Sequence, residues 1–195
     1  MSDTQSGFWQ MELQVPVTKL RPPDTQDTIK REKLSKQLSE QVLTHRLTLI
    51  SAPAGSGKTT LAVDFVRSNP DLQIRWLSLD EDDNDVQSFV FVLILAIFPK
   101  MEKELLQMIY QGQVSAQQVA NLLINRLDSS SDTPLVMVLD DLHLLTDKSI
   151  YEFLDYFIDY SPQHVHILVT TRYDPNISLA KLRARNELAE FRLNE

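Results

Sequence analysis

Leu47-Thr-Leu-Ile-Ser-Ala-Pro-Ala-Gly-Ser-Gly-Lys-Thr-Thr60 is the stretch that decides the fold of this chain of 195 residues. Its apolar start predicts a strand, its small residues predict a loop, and the segment Leu61 to Arg67 that follows predicts a helix. A strand, a loop ending in Gly-Lys-Thr and a helix together form the Walker A phosphate-binding loop. The alternative interpretation is an ordinary turn between a strand and a helix.

The residue types of this loop fit phosphate chemistry. Gly55 and Gly57 allow backbone N–H groups to point at phosphate oxygens. Lys58 is expected to reach the β- and γ-phosphates, Thr59 to offer its hydroxyl to Mg²⁺, and the helix start to add partial positive charge. Ala52 replaces the usual first glycine, so this position need not adopt a positive φ. The residues predicted to contact nucleotide here are Ala54, Gly55, Ser56, Gly57, Lys58, Thr59 and Thr60.

A second motif lies about eighty residues downstream, in Leu135-Val-Met-Val-Leu-Asp-Asp141. Five apolar residues predict a strand buried on both faces, and its carboxyl end is where ligands bind in open α/β sheets. Asp140 is then the Walker B residue that binds Mg²⁺ directly or through water. Asp141 is placed to orient or deprotonate an attacking water. The alternative is a strand that runs into a helix cap.

A third apolar run, Val165 to Val169, is followed by Thr170-Thr-Arg-Tyr-Asp-Pro175. If this strand lies between the other two, Thr171 and Arg172 face the γ-phosphate, where a cationic group can distinguish ATP from ADP. The alternative is that Arg172 forms a salt bridge with a carboxylate such as Asp140 or Asp174.

Composition excludes several other classes of function. The chain has no cysteine, which removes disulfides and thiolate metal sites, and its four histidines do not cluster with acidic residues, so structural roles are expected for them. A net charge of −8 argues against binding a nucleic-acid backbone. We expect no secretory signal, because Met1 to Gln10 is polar and lacks an apolar stretch, and the longest apolar run, Phe89 to Phe98, is too short to cross a bilayer and predicts a buried helix. We therefore expect a cytoplasmic protein that does not enter a membrane.

Strand and helix patterns alternate along the rest of the chain. Helices are predicted at Arg31 to Leu43, after the Ser115 and Gln118 capping box, and from Ile150 to Ile158; further strands are predicted at Ile74 to Leu79 and, at an edge, Ala189 to Leu193. The acidic loop from Asp80 to Asp85 lacks the glycine and glutamate of a calcium-binding loop, which favours a solvated loop. The pattern predicts an α/β P-loop NTPase fold, with a mostly parallel five-stranded sheet and helices on both faces.

Several blocks in this order resemble one family. They are Thr18-Lys-Leu-Arg-Pro-Pro23, the Walker A stretch, Trp76-Leu-Ser-Leu-Asp80 with Asp83-Asn-Asp85, Leu139-Asp-Asp-Leu-His143, and Thr170-Thr-Arg172 with Leu182-Arg-Ala-Arg185. Together they resemble the nucleotide-binding domain of the MalT-like, LuxR-type ATP-dependent transcriptional activators, which belong to the STAND class of P-loop NTPases. The resemblance covers roughly Val17 to Glu195. Residues 1–16, which begin with the polar stretch Met1 to Gly7, are expected to form a flexible N-terminal extension.

The resemblance implies a switch that is inactive with ADP and that self-associates with ATP once an inducer binds elsewhere. It further implies that Arg172 is the sensor arginine and that Arg31 lies near the base or phosphates. Winged-helix, helical-repeat sensor and DNA-binding domains would follow residue 195, and this segment itself is not expected to bind DNA.

Asp141 stands where many P-loop motors have a glutamate, and its shorter side chain predicts slow or no ATP hydrolysis. A GTPase is a weaker alternative, because Thr171-Arg-Tyr-Asp174 resembles a guanine-reading T-K-x-D with arginine in place of lysine. A third interpretation is a non-catalytic interaction module that binds nucleotide only for stability.

Overall fold

The computed structural model describes residues 15–25, 31–130 and 133–192. The strands of this part of the chain are β1 (Leu47–Ser51), β2 (Gln73–Ser78), β3 (Leu135–Asp140), β4 (Val165–Thr171) and β5 (Leu188–Arg192). Its α-helices are α1 (Glu32–Val42), α2 (Lys58–Ser68), α3 (Val86–Ile97), α4 (Lys103–Tyr110), α5 (Ala116–Ser130), α6 (Lys148–Tyr160) and α7 (Leu179–Ala184). Short 3₁₀ turns lie at Val17–Leu20, Glu81–Asp83 and Leu142–Leu144.

The five strands form one sheet in the order β2-β3-β4-β1-β5, and every neighbouring pair is parallel. This confirms the predicted fold class. Because β4 lies between β3 and β1, the carboxyl ends of the two motif-bearing strands flank the segment that leads to Arg172. Ser51 pairs with Thr171, so the Walker A loop begins beside the end of β4.

The sheet separates two apolar cores of unequal size. The larger core packs α3, α4, α5 and α6 against one face, and the smaller core packs α1 and α2 against the other. β3 and β4 are buried along their whole length, as expected for strands covered on both faces. This layering places the Walker A helix α2 on the thinner side of the domain.

The chemistry at the helix ends explains where several helices begin. The Asp85 carboxylate accepts N–H bonds from Gln87 and Ser88 at the start of α3. At the start of α5, the Ser115 N–H donates to Gln118 Oε1 at 2.9 Å and the Gln118 N–H donates to Ser115 Oγ at 3.3 Å, as the predicted capping box requires. The predicted buried helix over Phe89 to Phe98 is α3.

Some boundaries differ from the sequence-based predictions. β4 runs to Thr171, whereas its apolar run predicts a strand that ends at Val169, and a 3₁₀ turn at Val17–Leu20 precedes Arg21, whose backbone is extended. This turn is held by Lys19, which pairs with Asp80 and the buried Asp83. Residues 1–14 of the predicted extension and residue 193 of the predicted edge strand lie outside the described residues.

Within the described ranges, no helix is both long and apolar enough to span a bilayer.

Candidate nucleotide-binding site

The Walker A loop has the backbone that its sequence predicts. Gly55 and Gly57 have φ angles of 79° and 78°, which side-chain-bearing residues rarely adopt. Ala52 has no positive φ, and its N–H donates to the Thr171 carbonyl at 3.2 Å, which explains how alanine replaces the usual first glycine. α2 starts at Lys58 and no side chain caps it, so the first N–H groups of the helix are available to an anion.

Lys58 folds back over this loop. Lys58 is only 6% exposed, and its ammonium donates a hydrogen bond to the Pro53 carbonyl at 2.9 Å. Burial lowers the pKa of Lys58, because the charged form loses hydration. A buried ammonium with one backbone partner is well suited to exchange that partner for phosphate oxygens.

Asp140 is the buried carboxylate of the site. The residue is 4% exposed, and its Oδ1 accepts hydroxyl bonds from Thr59 at 3.0 Å and Thr170 at 2.6 Å. Burial is the main cause that raises its pKa, against the effect of these two hydroxyls. Both hydroxyls donate to the same oxygen, Oδ1.

These atoms fit a magnesium ion. A threonine hydroxyl and a carboxylate supply the hard oxygen ligands that Mg²⁺ prefers, and Mg²⁺ commonly takes only one or two carboxylates, with waters and substrate phosphates completing its shell. In the described part of the chain, no group of three or more His, Cys, Asp or Glu side chains could hold a metal by itself. A Thr59–Asp140 pair beside a phosphate-binding loop is therefore the donor set to test.

Asp141 adopts a left-handed conformation, with φ 62° and ψ 40°. Aspartate tolerates this region better than most residues with a side chain, which adopt it uncommonly. Its N–H donates to Thr170 Oγ1 at 2.8 Å, while its side chain stays partly exposed. Thr170 thus forms hydrogen bonds with both acidic residues, a role that no sequence motif indicates.

Thr171 and Arg172 differ in their placement. The prediction that Thr171 faces the phosphates is wrong, because it is fully buried and its hydroxyl donates to the Tyr173 carbonyl at 2.7 Å. Arg172 is exposed, and its positive charge contributes to lowering the pKa of Lys58, so the two cations are neighbours. No salt bridge of Arg172 occurs within the described residues, and Asp174 pairs with Arg192 instead.

Arg31 lies at the N-terminal end of α1, as its position in the sequence predicts. It lines a cavity of about 180 Å³ together with Gly55, Gly57, Thr60 and Asp64. The structure therefore brings Arg31 to the Walker A loop. Ala54 and Ser56 complete that loop, and the Ser56 hydroxyl donates to the Pro53 carbonyl.

His143 is the feature of this region that the sequence did not reveal. It is 6% exposed, and neither ring nitrogen has a hydrogen-bond partner among the described residues. Its Nδ1 lies 3.6 Å from Asp141 Oδ1, and burial lowers its pKa, which favours the neutral ring. Leaving a buried polar group unpaired costs about 1–3 kcal/mol, so simple packing explains this residue poorly.

The basic residues Lys181, Arg183 and Arg185, in and directly after α7, already have partners inside the domain. Lys181 and Arg185 both pair with Asp159, and Arg183 pairs with Glu190 at 2.8 Å. These side chains therefore do not form a free cationic surface.

Comparison with known proteins agrees with this geometry. A family model described as the AAA ATPase domain matches residues 29–170. The HTH-type transcriptional regulator MalT of Yersinia enterocolitica is 34% identical over 186 residues, which cover 93% of this chain and 20% of that protein. MalT of Yersinia pestis is 34% identical over 193 residues, again with 93% and 20% coverage. The chain thus spans about a fifth of the length of these relatives.

Solved structures share the fold at low sequence identity. A chain in the structure of Drosophila ORC bound to AT-rich DNA and Cdc6 superposes with a TM-score of 0.55 at 9% identity, covering 82% of this chain and 54% of that one. A chain of Drosophila ORC bound to DNA gives 0.54 at 8% identity, with 82% and 89% coverage. The family model, the all-parallel sheet and the arrangement of the Walker residues agree with one another. The chain therefore belongs to the AAA ATPase domain family and, within it, is similar to the corresponding domain of the MalT-type transcriptional regulators.

Proposed function

We propose that this domain binds ATP or ADP with Mg²⁺ and acts as the nucleotide-responsive switch of a cytoplasmic, signal-responsive transcriptional activator. The observation that carries the proposal is the contact between Thr59 on the Walker A helix and Asp140 on β3, with Thr170 of β4 on the same carboxylate oxygen. Three separate segments of the chain thereby meet at one edge of the sheet. The similarity to MalT-type regulators supports the regulatory role.

The residues of the chain have distinct roles in this proposal. The Walker A backbone and the start of α2 hold the phosphates, and Lys58 exchanges its Pro53 carbonyl for phosphate oxygens. Thr59 and Asp140 are the ligands for Mg²⁺, which when bound would neutralise phosphate charge. Arg31 lies on the open side of the loop, where it contacts the base or phosphates.

Arg172 is the group that distinguishes ATP from ADP. It follows β4 directly, next to the strand that feeds the Walker A loop, and its side chain is not consumed by an ion pair within the described residues. A cation in this position gains more from the additional negative charge of ATP than from ADP. Binding of an inducer, self-association and action on DNA belong to the longer protein in this proposal.

Hydrolysis by the domain alone is expected to be slow. Asp141 is the group that orients the attacking water and accepts its proton, and its backbone is held by Thr170. An aspartate places its carboxylate one methylene closer to the backbone than a glutamate would, which holds such a water less closely. We expect turnover well below about 10 s⁻¹, the median for enzymes.

The decisive experiment is to identify the nucleotide that purifies with the protein and then to titrate Mg-ATP, Mg-ADP and Mg-GTP. Adenine nucleotide in the preparation and tighter binding of ATP and ADP than of GTP would support the proposal. A preference for GTP would favour the GTPase alternative. No binding at millimolar adenine nucleotide would refute the switch altogether.

Single-turnover phosphate release then separates a slow ATPase from a non-catalytic module. Phosphate released more slowly than about 10 s⁻¹, and absent in an Asp141→Asn variant, would identify the slow ATPase. Binding without any release, in parent and variant alike, would identify the module that uses nucleotide only for stability.

A further inference from the structure

A cavity of about 510 Å³ lies on the larger-core face of the domain. Its lining combines apolar and aromatic side chains of α3 and α4 with carboxylates of the loop after β2, and it includes Val15, Asp82, Asp85, Phe91, Val92 and Tyr110. Among the described residues, it shares no lining residue with the cavity beside Arg31. Cavities of this volume are large enough to hold bulky apolar groups.

The wall formed by α3 and α4 is aromatic. The rings of Phe91 and Tyr110 are in contact, with centroids 5.3 Å apart and an interplanar angle of 59°. Tyr110 is nevertheless 41% exposed, so part of this apolar wall is open. Asp82 and Asp85 add hydrogen-bond acceptors to the lining. This combination fits an apolar side chain that carries a hydrogen-bond donor and no acceptor, which is the chemistry of tryptophan.

The first described residues fix one end of the cavity. Val15 lines it and packs against the larger core. Four residues later, Lys19 pairs with Asp80 at 2.9 Å and with the buried Asp83 at 2.7 Å. Pro16 follows Val15, and a residue before proline favours an extended backbone. We therefore expect the chain to reach the wall of the cavity in an extended form.

The sequence up to Val15 has one apolar face when it is extended. Apolar and polar residues alternate strictly in Trp9-Gln-Met-Glu-Leu-Gln-Val15. Every second side chain of an extended segment points to the same side, so Trp9, Met11 and Leu13 share the face of Val15. At about 3.3 Å per residue, Leu13 lies within about 7 Å of Val15 and Trp9 within about 20 Å.

We propose that residues 9–14 of this chain bind across the cavity, with Leu13 and Met11 packed in it and the Trp9 indole on the aromatic wall. Val15 already belongs to the lining, so the segment needs no further chain to reach this position. A segment joined to the cavity also binds at a high effective concentration, which a separate molecule lacks. The bound segment replaces, over these six residues, the flexible extension that the sequence predicts. The inference is independent of the proposed function, because it does not involve the Walker A loop.

Cysteine reactivity tests the alternation directly, because the chain contains no cysteine. Leu13→Cys places a thiol on the face towards the cavity, and Gln14→Cys places one on the opposite face as the matched control. We expect the thiol of Leu13→Cys to react at least about tenfold more slowly with an aromatic disulfide reagent, since it is accessible only when the segment opens. In urea the two thiols should react at equal rates.

A second pair keeps the test decisive if the loss of Leu13 itself loosens the segment. Met11→Cys and Gln10→Cys should show the same order of reactivity, because they occupy the same two faces four and five residues before Val15. Thermal melts of all variants report whether each one is folded.

Fluorescence of Trp9 gives an independent measurement. Trp76→Phe leaves Trp9 as the only tryptophan. We expect acrylamide to quench Trp9 at least about threefold less in the folded protein than in urea, because a packed indole is shielded from solvent. Adding Tyr110→Ala should remove most of this protection. Tyr160→Ala is the matched control, since Tyr160 is also an exposed tyrosine at the end of a helix that contacts one neighbouring ring.

The outcomes distinguish this occupant from others. Equal reactivity within both cysteine pairs, with Trp9 quenched as in urea, would overturn the proposal. Protection that survives in Tyr110→Ala as fully as in Tyr160→Ala would overturn the placement of Trp9 on this cavity. Protection that disappears on dilution would show that a second copy supplies the segment, and would overturn its assignment to the same chain.

Discussion

Replacing Lys58 by alanine is the most direct test of the Walker A assignment. Among the described residues, the Lys58 ammonium has one hydrogen-bond partner, the Pro53 carbonyl at 2.9 Å, and burial disfavours its charge. Its removal therefore gives up one hydrogen bond and also a poorly hydrated cation. These two effects oppose each other, so we expect the free energy of unfolding to change by less than about 1 kcal/mol.

The effect on nucleotide binding should be much larger. A hydrogen bond to a charged group contributes about 1.5–3 kcal/mol, and phosphate oxygens are charged acceptors. This free energy corresponds to an increase of about 10- to 150-fold in the dissociation constant of Mg-ATP. The melting temperature without nucleotide should stay within about 2–4 °C of the parent value.

Calorimetric titration with Mg-ATP measures the affinity, and Lys148→Ala provides the control for net charge. Lys148 is exposed at the start of α6, where it pairs with Glu152 one helical turn away. Its replacement removes one positive charge and should leave the affinity unchanged. A Lys58→Ala protein that binds ATP within twofold of the parent would refute the reasoning, as would an equal loss in both variants.

Three further predictions concern other parts of the domain. Asp140→Asn keeps the oxygen that accepts both hydroxyls and removes a buried charge, so we expect an unchanged or higher melting temperature, with a loss of the Mg²⁺ dependence of ATP affinity that titrations with and without Mg²⁺ would reveal. Arg183 and Arg192 lower the pKa of Glu190 to about 2, so their contribution to stability is present above the unfolded value of 4.5 and is lost as the pH falls towards 2. Glu190→Gln should therefore cost up to about 1 kcal/mol at pH 7, and urea unfolding should show this difference shrinking at pH 3; a constant difference would contradict the ion-pair explanation. The chain should bind no DNA duplex specifically, because 27 acidic residues outnumber 19 basic ones, and sub-micromolar, sequence-dependent binding in a gel-shift assay at physiological salt would contradict this.

Much of the fold could be predicted from the sequence because its local signals agree. Apolar runs end in small or acidic residues, capping residues stand before amphipathic stretches, and strands alternate with helices. The order of the strands in the sheet is not a local property. The position of β4 between β3 and β1 could be stated only as a condition, and the structure fulfils it.

The candidate site was predictable where a motif carries it and not where contacts between segments decide it. Lys58, Thr59 and Asp140 follow from motif spacing alone. Thr170 and Thr171 are adjacent on a strand, so they point to opposite faces, and only the register of β4 determines which one meets Asp140. The apolar run predicts a strand that ends at Val169, so the alternation of side chains between the two faces of the sheet could not be extended to Thr170 and Thr171.

Contacts between residues far apart in the sequence are not predictable from local patterns for the same reason. The surroundings of the His143 ring depend on Asp141, two residues earlier, which has a left-handed backbone, and on Tyr173, thirty residues later, whose ring meets it edge to face. Lys19 and the buried Asp83 likewise meet across 64 residues of sequence. No composition or periodicity signal announces such pairs.

The unequal cores on the two faces of the sheet have a consequence for local unfolding. Resistance to opening grows with the apolar surface that a layer buries, so α1 and α2 should exchange their amide hydrogens more readily than the thicker layer opposite. The phosphate-binding loop and its lysine belong to this weaker half. A nucleotide present at 100 times its dissociation constant would add about 2.7 kcal/mol to the stability of the form that binds it. The stability of the closed α1–α2 layer would then depend on the cellular concentration of nucleotide. The occupancy of one small site would thus set how often this layer opens.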